Sequence, residues 1–131
     1  MKKLYTPLLL ILSLLPLQSI AQTNAVAGTK LINGVGTVKT FSGNHQSYIT
    51  ADETKKTVPA LFKNWIGKAL GASPSDGWNL VRVDKDQLGE EHYRYQQLYQ
   101  GYPIEGAIYI AHAKNNTINK ANGVYFPQVK A

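Results

Sequence analysis

The sequence predicts an α+β fold, with one amphipathic helix packed on a four- to five-stranded antiparallel sheet laid out as a meander. Three observations carry this. Val58, Leu61, Phe62, Trp65, Ile66, Ala69 and Leu70 recur at helical spacing and form one continuous stripe. From His92 to Tyr99 the side chains alternate, with His92, Arg94, Gln96 and Leu98 on one face and Tyr93, Tyr95, Gln97 and Tyr99 on the other. Turn sequences then separate that stretch from two more extended runs.

Taken in order, the chain opens on a basic start (Met1-Lys2-Lys3), an apolar run from Leu8 to Leu15 and the small residues Ser19 and Ala21 around Ile20. Residues 1–21 therefore read as a secretory signal peptide. The apolar run is shorter than the about 20 residues that a membrane span needs. Residues 22–48 read as a flexible leader passing into an extended segment, with Ser42-Gly43-Asn44 as a turn. Gly34-Val35-Gly36 matches no phosphate-binding fingerprint. Residues 49–131 form the folded unit. Thr50-Ala51-Asp52-Glu53 fits a capping box, but Pro59 would break a helix launched there. The helix from Val58 to Leu70 takes Thr57 as its N-cap and Gly71 as its left-handed end.

After the loop Ser73–Gly77, Trp78–Asp84 reads as a strand, with Trp78, Leu80 and Arg82 facing one way and Asn79, Val81 and Val83 the other. Gln100-Gly101-Tyr102-Pro103 supplies turn chemistry between the His92–Tyr99 strand and its return, Ile104–His112. Gly106 interrupts the isoleucine face of the return strand, so a bulge is expected there. Lys114-Asn115-Asn116 turns the chain into Thr117–Asn122, and Val124-Tyr125-Phe126 begins one more strand that Pro127 confines to an edge or an end.

The composition excludes several kinds of function. Without residues 1–21 the chain carries 12 basic and 8 acidic residues, a net +4 that is scattered rather than clustered, so no nucleic-acid partner is expected. The strand HYRYQQLYQGY has the letters of a base-stacking platform, but alternating tyrosines on one strand face more commonly pack. With no cysteine, an exported chain must rely on its core. No G-x-S-x-G elbow is present, and Glu90 and Glu91, being adjacent, point apart in an extended segment. Glu90-Glu91-His92 lacks the first histidine of a zinc-helix motif, its place being taken by Leu88. His92 and His112 can meet across antiparallel strands, yet no third ligand is indicated, so neither a metal site nor a catalytic constellation is expected. Asn115-Asn116-Thr117 is a glycosylation sequon.

One arrangement of residues is more specific. Leu88-Gly89, then His92-x-Arg94-Tyr95-x-Gln97-x-Tyr99-x-Gly101-x-Pro103-Ile104-x-Gly106, then His112 and Asn122-Gly123, closely resembles the FTP motif. That motif belongs to the propeptides of fungalysin- and thermolysin-type secreted zinc metallopeptidases, and the resemblance covers about Val58 to Gln128. It implies a propeptide domain that assists folding of the protease domain and keeps it inactive until it is cleaved off. The implied partner is a thermolysin-like catalytic domain, in cis or in trans, and the implied location is extracellular or periplasmic, with no membrane contact after signal cleavage. Zinc, with calcium as a further candidate, is expected in that catalytic domain, and no cofactor in this chain. The resemblance leaves two readings open: a precursor cut short before its catalytic domain, or a free-standing secreted inhibitor or binding module of the same fold.

Carried over residue by residue, the family motif comprises His92, Tyr93, Arg94, Gln97, Tyr99, Gly101, Tyr102, Pro103, Gly106, His112, Asn122 and Gly123. Tyr93, Arg94, Gln97, Tyr99, Tyr102 and Pro103 are the candidates for a protein interface or its support, tyrosine and arginine being the usual interface anchors. The alternative stands level with this: the tyrosines pack beneath the helix and Arg94 is solvated. The sequence does not say which sheet face the helix covers.

Overall fold

Strands of alternating burial dominate the computed structural model, which describes residues 26–41, 45–51 and 56–127. The expected signal peptide, the 42–44 turn, the acidic half of the Thr50–Glu53 sequence and residues 128–131 lie outside them. Seven strands build one antiparallel sheet: β1 (Val26–Ile32), β2 (Gly36–Phe41), β3 (Gln46–Ala51), β4 (Asp76–Lys85), β5 (Glu91–Tyr99), β6 (Tyr102–Lys114) and β7 (Thr117–Val124). Their order across the sheet is β1-β2-β3-β7-β6-β5-β4. The sheet is thus larger than the four or five strands expected, because residues 26–51 add three strands to the meander. Those three are short and rich in threonine, glycine and lysine; they pair in sequence with one another, and β3 joins them to the meander through β7.

The last strand is also placed differently from expectation. Val124 closes β7 instead of opening a new strand, and β7 lies in the interior between β3 and β6. The edges are β1 and β4. To pass from β3 to β4 the chain must cross β7, β6 and β5, four strand spacings or about 19 Å. The one α-helix among the described residues, α1 (Phe62–Leu70), lies in that crossover and therefore over one face of the sheet. Among the described residues no helix is long and apolar enough to cross a membrane.

The helix begins later than its pattern suggested. Residues Pro59–Leu61 form a 3₁₀ turn, since Pro59 fixes φ but cannot donate a backbone bond. Thr57 does not cap it; its carbonyl accepts the Ile118 N–H at 2.8 Å and ties the approach to β7. The tighter turn also rotates Leu61 out of the stripe to the exposed surface. Phe62, Trp65, Ile66 and Ala69 remain buried, and Gly71 ends the helix at φ 64°, as a left-handed terminus requires.

That buried stripe meets the tyrosine face of the sheet. Phe62 stacks on Tyr95 with ring centroids 4.2 Å apart. Around it lie Val38, Ile49, Trp78, Tyr109, Ala111, Ala113, Ile118, Ala121 and Tyr125. The alanines of β6 and β7 leave room beneath the helix for Phe62, Trp65 and Ile66. Tyr109 is fully buried and reaches across β7 to Ser47 on β3, with 2.8 Å between the hydroxyls. It passes over Gly123, the residue of β7 that pairs with both Tyr109 and Ser47. A Cβ at Gly123 would stand 2.6 Å from Tyr109 Cα and closer still to the Ile108 carbonyl, so no other residue fits without moving β6.

Two destabilisations are expected in urea unfolding. Phe62→Ala removes the ring on which Trp65 and Tyr95 rest and should cost about 3–5 kcal/mol. Gly123→Ala adds one methyl to a site with no space and should cost about 3 kcal/mol or more, whereas at Gly77 the same methyl would meet only ordinary contact with Leu98.

Candidate functional site

The β5–β6 hairpin turns on Gln100 and Gly101, both at positive φ, the geometry of a two-residue hairpin turn. At the tip Tyr99 pairs with Tyr102 and Leu98 with Pro103. Continued, that register would set Gln96 against Glu105. Gln96 instead pairs with Ile108, three residues further on. The intervening residues bulge out, with Gly106 at φ 76° as the expected break. The Gln96 amide holds the bulge together, its Nε2 donating to the carbonyls of Ile104 (2.6 Å), Ala107 (3.1 Å) and Gln97 (3.1 Å).

A shift of three residues is odd, so it reverses which side chains of β6 face the helix. It places Ala107, Tyr109, Ala111 and Ala113 in the core and sets His112 opposite His92 on the uncovered face. A second bulge lies between Leu80 and Arg82 on β4 and alters the facing read from the sequence. Trp78 and Leu80 pair with Gln97 and Tyr95, but Arg82 pairs with Arg94 and Val83 with Tyr93. Arg82 Nε donates to Asp84 Oδ2 at 2.8 Å, and Arg94 Nε lies 3.6 Å from the same oxygen.

At the far end of β5 a short loop is built on Asp86. Its Oδ1 accepts the backbone N–H groups of Leu88 (2.8 Å) and Glu90 (3.0 Å), and its Oδ2 faces His92 Nε2 at 3.1 Å. Gly89 supplies the positive φ at which the loop reverses. His92 Nδ1 lies 2.7 Å from His112 Nδ1, and His112 Nε2 lies 2.6 Å from Asn122 Oδ1 on β7. Four side chains thus form one line, Asp86–His92–His112–Asn122, running over three strands and a loop. Glu90 stands beside it, 3.8 Å from Lys120 Nζ.

The line fixes where protons reside. Asp86 Oδ2 and Asn122 Oδ1 are acceptors, so His92 Nε2 and His112 Nε2 each donate outward. The two Nδ1 atoms are left facing each other, and the tautomers set which of them donates. The backbone N–H of Glu90, followed by His92, holds the Asp86 carboxyl below its ordinary range. Burial, reinforced by the charges of His92 and Lys120, holds His112 below the usual imidazole value despite the Asn122 bond and Glu90.

The structure distributes the motif residues over both faces and the tip. His92, Arg94, His112 and Asn122 lie on the uncovered face, whereas Tyr93 packs against the core beneath the helix. Gln97 is 0% exposed. Its Nε2 donates to Asp76 Oδ1 (3.1 Å) and the Phe126 carbonyl (2.9 Å), while its Oε1 accepts the Phe126 N–H (3.0 Å). Gln97 is therefore a support that fastens the chain after β7, not a contact surface. Tyr99 is half-buried at the hairpin end, Gly101 forms the turn, and Tyr102 and Pro103 project from it, Tyr102 being 76% exposed. Asp86, Glu90 and Gln96 were not anticipated. The spacing of Asp86 to two following loop residues was a readable Asx signal, but nothing in the sequence gives the three-residue register shift.

Residues 76–125 match the Fungalysin/Thermolysin Propeptide Motif, from the start of β4 to the residue after β7. Sixty residues, 46% of the chain, are 28% identical to the thermolysins of Alicyclobacillus acidocaldarius subsp. acidocaldarius, Bacillus caldolyticus and Bacillus sp. (strain EA1). That match spans 11% of the length of those relatives. No solved structure matches the chain.

Two measurements test the site. Gln96→Ala should cost about 1–3 kcal/mol, the desolvation left on the bulge carbonyls, and should remove nuclear Overhauser contacts between the His92 and His112 rings. Acid should also loosen this end of the sheet. His112 is held unprotonated by the fold, so the stability this contributes is complete above the unfolded imidazole value of about 6.5 and is lost as pH falls below it. Asp86 adds to the loss only at lower pH, below the ordinary carboxylate range. The groups facing His112 are His92, Glu90, Lys120 and Asn122. Thermal melts from pH 7.5 to 5 should show a falling midpoint, with a shallower fall in His112→Gln.

Proposed function

From a propeptide motif spanning β4 to β7, we propose that this chain is the propeptide module of a secreted thermolysin-like zinc metalloendopeptidase. The protease domain it serves lies outside this sequence, and the module has no catalytic role of its own. It is exported, folds, and then binds the protease domain in cis, assisting that domain's folding and blocking it until the propeptide is removed. The motif match to residues 76–125 carries this reading. The similarity to thermolysins over the same part of the chain supports it.

The physical requirement for such a module is a scaffold that forms without its client. A sheet of seven strands under one helix meets it without disulfides. Assistance of folding further requires that the module bind the client's folding transition state more tightly than its unfolded chain. Tyr102 and Pro103, exposed on a rigid two-residue turn, are the anchors best placed for that contact, with Arg94 on the uncovered face as a charged neighbour.

The test is refolding in trans. A denatured thermolysin-type protease domain lacking its own propeptide should recover more activity when diluted into stoichiometric chain than into buffer. Native protease should be inhibited at micromolar concentration. Tyr102→Ala should weaken that inhibition about ten-fold, an anchor loss of ~1.4 kcal/mol, while leaving the melting temperature unchanged. The absence of both rescue and inhibition at micromolar chain would overturn the assignment.

A further inference from the structure

The histidine pair on the uncovered face has an arrangement that the propeptide reading does not use. Each ring commits its Nε2–H to an acceptor outside the pair, His92 to Asp86 Oδ2 and His112 to Asn122 Oδ1. Both remaining nitrogens, the Nδ1 atoms, are thereby aimed at each other, 2.7 Å apart, with the rings nearly perpendicular at 81°. In two neutral imidazoles these would be opposed lone pairs, which repel. One proton or one metal ion between the two nitrogens removes that repulsion.

Three features point to a metal as well as a proton. A ligating histidine characteristically donates its other N–H to a carboxylate or carbonyl oxygen, which fixes the tautomer and makes the free nitrogen more basic. Here both histidines already have that partner. Glu90 supplies a carboxylate whose oxygen, with one nitrogen from each ring, forms a set lying within 4.8 Å of one another. The three residues come from paired backbone, the start of β5 and the facing end of β6, and from a loop that Asp86 pins through two backbone N–H bonds. Tetrahedral zinc with Zn–N of about 2.0–2.1 Å needs its two nitrogens about 3.3 Å apart, so the rings must separate by roughly half an ångström. These side chains are partly buried but lie on the face away from the helix, so that movement meets no core packing.

We propose that His92 Nδ1, His112 Nδ1 and Glu90 form a binding site for one late first-row divalent cation, of which zinc is the best match to two imidazoles and a carboxylate. Three protein ligands leave a position for water or for a ligand from a partner. When bound, the ion displaces the shared proton and clamps β5, β6 and the 86–90 loop together. Lys120 then loses the attraction of Glu90 and turns to solvent. This assignment does not depend on the propeptide reading, since it stands on residues of this chain alone.

Isothermal titration of the purified chain with Zn²⁺, alongside Co²⁺ absorption in the visible range, tests the site. One equivalent should bind saturably, with a Co²⁺ spectrum of low coordination number. His92→Ala and His112→Ala should each weaken Zn²⁺ by more than about a hundred-fold, and Asn122→Ala, which removes only the outer partner of His112, by about ten-fold. His45→Ala, an exposed histidine away from the pair, should bind as the wild type does. Glu90→Gln leaves both rings in place and serves where a histidine variant fails to fold by circular dichroism; its affinity should fall about ten-fold. No saturable binding up to millimolar Zn²⁺, or binding untouched by His112→Ala or Glu90→Gln, would overturn the proposal and leave the pair holding only a proton.

Discussion

The bulge that Gln96 holds in β6 is the constraint on which the rest of the structure depends. Two amide protons shared among three carbonyls satisfy backbone groups that the ladder has abandoned, which is what makes a bulge of this size tolerable. Because the shift is odd, the same backbone event decides both faces of the sheet. It turns Tyr109 and three alanines of β6 toward α1, and it turns His112 toward His92. Without it the tip register would place Tyr109 opposite His92, on the face that no helix covers. The core would lose its largest fully buried side chain and the uncovered face its histidine pair.

From that register the core follows by volume. β6 offers small residues at Ala107, Ala111 and Ala113, so the helix can approach closely enough for Phe62 to stack on Tyr95. Tyr109 spans what the alanines leave and finds its hydroxyl partner two strands away at Ser47. The price is Gly123, the position in β7 where the passing ring and the β6 backbone leave no room. A buried hydroxyl without a partner would cost more than the hydrogen bond itself returns, so the Ser47–Tyr109 contact chiefly avoids a penalty. It also ties the N-terminal strands to the meander, since Ser47 belongs to β3 and Tyr109 to β6.

Much of this was legible in the residues because local patterns and tertiary needs agreed. The alternation in β5, the apolar stripe of α1, Gly71 as its end and the break at Gly106 all appear where the sequence placed them. What could not be read was register and sheet order. Leu61 fits the stripe by spacing, and only the 3₁₀ turn forced by Pro59 removes it. The choice between tyrosines as core and tyrosines as contact surface needed the position of the helix, which depends on β4 lying at the far edge. β1 to β3 had weak alternation, and the long-range pairing of β3 with β7 that attaches them to the meander is information absent from their own residues. The site was half visible: His92 and His112 were expected to be able to meet and Asn122 stood among the motif residues, but Asp86 and Glu90 become part of it through the loop.

The two edges of the sheet bear on how a partner is recognised. β4 presents Leu80, Val81 and Val83 to solvent, and an open apolar edge strand invites another strand to pair with it. Its own bulge, at Val81, interrupts the row of free N–H and C=O groups that such pairing needs, and the Arg82–Asp84 ion pair places charge beside the break. Strand addition along β4 is therefore opposed where it would be longest. The hairpin tip carries no such obstacle. Tyr102 offers a large, semi-rigid surface with little rotamer entropy to lose, and Pro103 holds the backbone behind it. A contact made there would leave the sheet, the bulge and the histidine line undisturbed.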